Sequence, residues 1–357
     1  MSAKSSLPIP ASRPARDRIW RVAGVSLLYA ASVPRLLAGC GVLLAGLVLF
    51  GVLHGPYAIP LSGVWSPNAL QHFVLFELRW PRLQLGMLVG ASLAVAGFLL
   101  QSLTRVAIAA PSVMGLADGA GLGVVLLLCA GSSFQGGRWL NVTGMTLAAL
   151  AGALLVLGLL RLLYRYRAEM ARMVFAGLMI AAMCKALISM LLLISPTDVA
   201  TQSRIWLVGS LVQATPALNQ GLFLAFAVLF GLTLLSYRHL ALLQLADGVV
   251  QAVGTRPARV QSWLYLLAAG LTAVAVAGAG QVGFVGLVVP HLVRRLCPRG
   301  VPAQLLANAV LGASLVVAAD LLARNLFAPY ELPVGIFTAL IGVPWFLWLA
   351  VRRGGDQ

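Results

Sequence analysis

Apolar runs of about twenty residues alternate along the chain with short polar stretches rich in arginine. A bilayer core takes about 20 apolar residues per helix. At that length the pattern predicts spanning helices near 36–53, 83–101, 112–130, 140–163, 173–194, 219–236, 260–279, 281–293, 302–322 and 333–351. Of these ten crossings, 281–293 is the least regular, being short and carrying Pro290. The rest of the pattern divides into a basic tail at 1–35, a membrane domain at 36–353 and a short tail at 354–357. The stretch 240–258 fits none of these, because it is too polar to span and too apolar for a plain linker. Its apolar patches, punctuated by Gly248, Gly254 and Pro257, predict short helices lying against a cytoplasmic partner or against lipid headgroups.

Composition agrees with a polytopic, all-α membrane bundle. Hydrophobic residues make up 61% and charged residues 10%, whereas a soluble domain carries about a quarter charged residues. The net charge of +16 would suggest nucleic acid in a soluble protein. Here the basic residues cluster between spans, the pattern that sets membrane orientation. With both termini in the cytoplasm, nineteen Lys and Arg fall inside and five (Arg79, Arg82, Arg138, Arg204 and Arg324) fall outside. Without the crossing at 281–293, Arg294, Arg295, Arg299, Arg352 and Arg353 would move outside, so the charge bias supports it.

Several chemistries find no residues to carry them. Neither lysine, Lys4 or Lys185, lies in a G-x-x-x-x-G-K-[ST] loop, so any ATP must be bound by a partner. Cys40, Cys129, Cys184 and Cys297 make no C-x-x-C pair, which argues against a metal or disulfide framework. Leu37-Ala-Gly-Cys40 has the look of a lipoprotein cleavage site, but the apolar run continues past it to Leu53 and reads as a first membrane helix. The four histidines are scattered at span ends, and no nucleophile–base set or cofactor motif accompanies them. Glycine ridges at Gly115, Gly119 and Gly123, and at Gly86 and Gly90, read as helix-packing faces. Ala91-Ser-Leu-Ala-Val-Ala-Gly97 aligns with Thr272-Ala-Val-Ala-Val-Ala-Gly278 at four of seven positions, a hint of duplicated halves of the kind transporters carry.

The ionisable residues inside the spans are Asp118, Lys185 and, near a helix end, Asp320. Charge at membrane depth is costly and points to function. Asp118 reads either as a helix–helix hydrogen bond or as a residue of a wet pathway. On the outer side, Arg79-Trp-Pro-Arg82 opens the second span and Arg324 closes the ninth. They read as helix-end anchors or as an exposed basic ring that docks a carboxylate-bearing partner, since Arg bonds carboxylates in a forked geometry.

From about residue 75 onward the chain resembles the FecCD permeases, membrane subunits of ATP-binding-cassette importers for iron-siderophores, haem and cobalamin. The resemblance rests on Arg79-Trp-Pro-Arg82, Leu88-Val-Gly-Ala-Ser-Leu-Ala-Val-Ala-Gly97 with Gln101, and Pro111 with Gly115. It continues in Trp206-Leu-Val-Gly-Ser210, Gly283-Phe-Val-Gly-Leu-Val-Val-Pro-His291, Asp320-Leu-Leu-Ala-Arg324, and Glu331-Leu-Pro-Val-Gly335 through Gly342-Val-Pro344. The chain departs from the family at 105–111, where Arg-Val-Ala-Ile-Ala-Ala-Pro replaces the usual Asn-Pro followed by an acid, and at Asp118, where relatives carry Ser or Asn.

The resemblance implies a bacterial inner-membrane permease of ten helices that pairs with a second permease subunit, bound by an ATPase dimer inside and a substrate-binding protein outside. It implies no enzyme activity of its own and no cofactor. Arg79, Arg82 and Arg324 would receive acidic residues of the binding protein. Leu243, Leu245, Asp247, Gly248 and Gly254 would belong to the loop that couples to the ATPases. Ferric siderophore leads as the expected cargo, ahead of cobalamin and haem. A membrane scaffold without transport is the alternative of a different class.

Overall fold

A computed structural model of the chain describes residues 17–22, 25–30, 33–55, 68–133, 142–163, 170–243, 257–297, 300–326 and 331–354. Twelve helices form its body: α1 (Val33–Leu53), α2 (Ala69–Thr104), α3 (Leu116–Ser133), α4 (Val142–Leu163), α5 (Met170–Ile194), α6 (Thr197–Leu207), α7 (Pro216–Leu235), α8 (Tyr237–Leu243), α9 (Pro257–Ala279), α10 (Val285–Leu296), α11 (Val301–Asn325) and α12 (Val334–Gly354). Each of the ten predicted runs contains a helix, and α6 and α8 are short helices between them.

Seven helices among the described residues are long and apolar enough to span: α1, α2, α4, α5, α7, α9 and α11. The apolar parts of α3 and α12, Leu116–Ala130 and Val334–Trp345, are shorter. The eighth predicted run is not a regular span. Its helix α10 has 12 residues, about 18 Å at 1.5 Å per residue, against a core about 30 Å thick.

The chain approaches α10 through non-helical backbone at Gly280–Phe284. Irregular backbone is tolerated at membrane depth only where protein covers it, and here three breaks cover one another. Ser210 N–H donates to Ala279 O at 2.9 Å and Gly335 N–H to Gly209 O at 3.3 Å. Gly280 turns at φ +71, where a Cβ would run into the Trp206 carbonyl. Phe284 enters α10 at φ 65, a left-handed conformation uncommon for a bulky residue.

The body is built around α2 and α9, whose apolar windows are 89% and 83% buried, whereas that of α1 is only 11% buried. α2 packs on α11, α9 and α10, and α3 packs on α4. Glycine permits the closest crossings. A Cβ on Gly90 would strike the Gly312 carbonyl of α11, and one on Gly97 the Gly286 carbonyl of α10.

Part of the segment expected as a basic tail at 1–35 is described. A two-stranded antiparallel hairpin, β1 (Asp17–Val22) and β2 (Val25–Ala30), pairs Asp17 with Ala30 through Val22 with Val25, and α1 begins at Val33. The segments Asp-Arg-Ile-Trp-Arg-Val and Val-Ser-Leu-Leu-Tyr-Ala are rich in the β-branched and aromatic residues that favour strands.

Candidate functional site

One end of the bundle gathers the residues singled out on the outer side. After a first α-helical turn, Ala69–His72, α2 widens into a π-helical segment, Phe73–Arg79, before its long regular portion begins at Trp80 with Pro81 in the first turn. That segment places Arg79 against the C-terminus of α1. Its Nη1 donates to Val52 O at 2.5 Å and to Leu53 O at 3.3 Å. Arg324, in the last turn of α11, donates from Nη2 to Gly51 O at 2.7 Å. The last carbonyls of a helix lack intrahelical donors and favour cations, so two guanidinium groups close the end of α1. Gly51 leaves them room, since a Cβ there would lie 2.8 Å from a Leu83 methyl and 3.0 Å from Arg324 Nη2.

Arg82 holds the other half of the cluster. Its Nε and Nη2 both lie 2.9 Å from Asp320 Oδ1, and its Nη1 lies 2.8 Å from Glu331 Oε2. Asp320 also faces Arg324 at 4.0 Å. The cluster therefore ties α1, α2, α11 and the segment entering α12 together. Arg79, Arg82 and Arg324, expected in an exposed basic ring with Arg138 and Arg204, are not exposed. Arg79 and Arg324 are each 5% exposed, and the side chain of Arg82 is 12% exposed. Buried charges need partners, and the chain supplies them in its own carboxylates and carbonyls. Glu331, 46% exposed at its side chain, is the accessible member. Arg204 is exposed on α6, and Arg138 lies outside the described residues.

A second charged pair sits deeper. A Cβ on Gly115 would lie 2.9 Å from Gly177 O and 3.2 Å from Ala181 N, which sets the start of α3 beside the middle of α5. In the first turn of α3, Asp118 reaches Lys185 of α5, with Oδ1 3.7 Å from Nζ. Asp118 thus joins two helices through the charge of Lys185, and the side-chain amide of Gln281 also faces its carboxylate. The Asp118 side chain is 3% exposed and that of Lys185 is 65% exposed. The amide of Gln281, in the break before α10, lies against Gly121 on the same helix as Asp118.

The opposite end holds the start of the stretch 240–258. Arg105 caps α2 at φ 55 and donates from Nη2 to Leu243 O at 3.1 Å. Leu240 and Leu243 are buried in the body. This corrects the expectation that Leu243 presents an apolar patch to a partner: α8 packs against α2, α7, α9 and α11, and the residue anchors the loop instead. Leu245, Asp247, Gly248 and Gly254 lie outside the described residues. In the segment 105–111, Ala109 and Ala110 are buried, and Arg105, which opens the segment, makes the contact to the Leu243 carbonyl.

Two further arrangements escaped the sequence reading. Pro290 has no N–H, so the Gly286 carbonyl four residues earlier loses its helical donor. Gln101 Nε2 supplies a replacement, donating to Gly286 O and Leu287 O at 3.3 Å each, while Gln101 Oε1 accepts from Arg294. Glu331 likewise appeared only as part of a motif, although its charge, beside a proline-restrained turn, was the available signal.

The FecCD transport family matches residues 43–352. The chain is 36% identical over 316 residues to the Fe(3+) dicitrate transport system permease protein FecD of Escherichia coli (strain K12), covering 88% of this chain and 96% of that one. It is 35% identical over 327 residues to the hemin transport system permease protein HmuU of Yersinia pestis, covering 90% and 96%. Among solved structures, an inward-facing metal-chelate type ABC transporter matches with TM-score 0.78 and 28% identity, covering 89% of this chain and 99% of that one.

Proposed function

This chain belongs to the FecCD transport family, and from that premise we propose that it is the permease subunit of a binding-protein-dependent ABC importer moving a ferric siderophore across a bacterial inner membrane. The observation that carries this reading is similarity over nearly the whole length of permeases named for ferric dicitrate and hemin. Haem is the second reading, favoured by the second of these relatives, and cobalamin follows from the family resemblance.

ATP is hydrolysed by a separate subunit, consistent with a sequence that has no phosphate-binding loop. The permease contributes a conformational equilibrium, which partners shift only by binding one state better than the other. Inside, the stretch 240–258, held at its start by Arg105 on the Leu243 carbonyl, transmits the motion of the ATPase dimer. Outside, the binding protein docks over the Arg79, Arg82 and Arg324 cluster. Because Glu331 is the exposed partner of Arg82 and Asp320 the buried one, a carboxylate of the binding protein takes the place of Glu331. Arg79 and Arg324 hold the mouth in shape.

The test is ATP-dependent uptake into proteoliposomes containing the permease with its co-purifying ATPase and binding protein. Uptake of iron as a siderophore chelate is expected. Uptake of haem or cobalamin instead would replace the cargo, and no ATP-dependent uptake of any of the three would overturn the importer reading.

A further inference from the structure

α5 is a peripheral helix. Met173, Val174, Gly177, Ile180, Ala181, Cys184, Ile188 and Leu192 face the body, and the opposite face is bare. Most of that bare face suits lipid, with Phe175, Met179, Met183 and Met190 all more than half exposed. Lys185 does not suit it. The residue lies three positions from the centre of Met170–Ile194, within about 5 Å of mid-helix at 1.5 Å per residue. A side chain 65% exposed at that depth would put its charge into hydrocarbon, which is costly enough that such residues face the bundle interior or a water-filled cavity. Too many residues separate Lys185 from either end of α5 for snorkelling to bring the amine out of the core.

We propose that Lys185 is an anion-contacting site on the wall of the water-filled passage, and that it suits the importer to ferric chelates carrying net negative charge. This deepens the importer reading and rests on it. The asymmetry of the pair gives the sign. Asp118 is buried to 3% and Lys185 is open to 65%, so the carboxylate stays inside the protein and the passage sees the positive end. Asp118 is the positioning residue: from α3 it holds the Lys185 amine at 3.7 Å and offsets part of its charge, leaving a contact weak enough for cargo to leave. Ser189, one turn further along, shares the exposed face and donates its hydroxyl to the Lys185 carbonyl at 2.9 Å.

The first test needs no cargo. In the assembled transporter, Ser189→Cys is treated with two membrane-impermeant thiosulfonates, one bearing a sulfonate and one a trimethylammonium group, with the wild-type protein as background for the native cysteines. Both reagents are expected to react, with the anionic one favoured at least threefold relative to a free thiol, and Lys185→Gln in the same background abolishes that preference. No reaction, or a preference unchanged by Lys185→Gln, overturns the site. The second test reads uptake of ferric dicitrate, an anionic chelate, beside an electroneutral ferric hydroxamate. Lys185→Gln should lower dicitrate uptake at least tenfold and Lys185→Arg less than threefold. Import confined to the neutral chelate, or equal in wild type and Lys185→Gln, overturns the anionic cargo while leaving the importer reading standing. Loss of all ATP-dependent import in wild type would instead strike the importer reading and, with it, the assignment of cargo.

Discussion

Asp320 is the hinge of the outer cluster, since Arg82 and Arg324 both face it and it is almost wholly buried. Removing one partner of a buried ion pair leaves the other charge uncompensated and costs about 3–5 kcal/mol. An exposed pair is worth about 1 kcal/mol or less. Asp320→Asn is therefore expected to destabilise the detergent-purified protein strongly, and Glu331→Gln only slightly, although both carboxylates bond the same guanidinium. Thermal unfolding of the two variants side by side checks this; equal losses would shift the anchoring role to Glu331. The same contrast bears on docking. Arg82→Glu should weaken the affinity of the loaded binding protein in a salt-sensitive way. Glu331→Gln, which frees the guanidinium, should strengthen it, and the measurement is binding at two salt concentrations.

Among the elements, α10 depends most on its neighbours. It is too short to span by itself, carries Pro290, and enters at a left-handed Phe284. Gln101 on α2 repairs the hydrogen bond that Pro290 removes and receives Arg294 as well. Gln101→Leu leaves these groups unsatisfied, at about 1–3 kcal/mol for each buried polar group. Restoring the N–H with Pro290→Ala should recover part of the loss, because the Gly286 carbonyl then regains a helical donor. Thermal unfolding of the single and double variants decides: additive losses would show that Gln101 acts through something other than the proline gap. Gly97 sets the approach of the same two helices, since any Cβ there meets the Gly286 backbone. Gly97→Leu should yield no monodisperse protein on size-exclusion chromatography.

For the whole molecule, the charged pieces sort to two ends and one interior position. The Arg79, Arg82 and Arg324 cluster closes one end, Arg105 and α8 mark the other, and the pair Asp118 and Lys185 lies between. On the proposed coupling through 240–258, motion at the α8 end must reach the passage. Gly254→Pro is therefore expected to abolish uptake while the protein still reaches the membrane and co-purifies with its ATPase. Normal uptake in that variant would remove the stretch 240–258 from the coupling path.

How much of this was legible along the chain follows from how each property arises. The helices of the ten runs and the packing faces at Gly90, Gly119 and Gly123 were readable, because lipid demands apolar runs of a set length and backbone bonds closed within each run, whereas Gly115, read with them, turns at φ +75 just before α3. Those constraints act on consecutive residues. The irregularity of α10 was signalled by its length and its proline. The state of the arginines was not readable. Their partners, the Gly51 and Val52 carbonyls, Asp320 and Glu331, lie up to 273 residues away, and exposure is a property of the neighbours rather than of the residue. The same holds for Lys185. Its span marked it as costly, but only the packing of α3 against α5 turned its carboxylate inward and its amine outward, because the sign a passage presents is set by which member of a pair the fold buries.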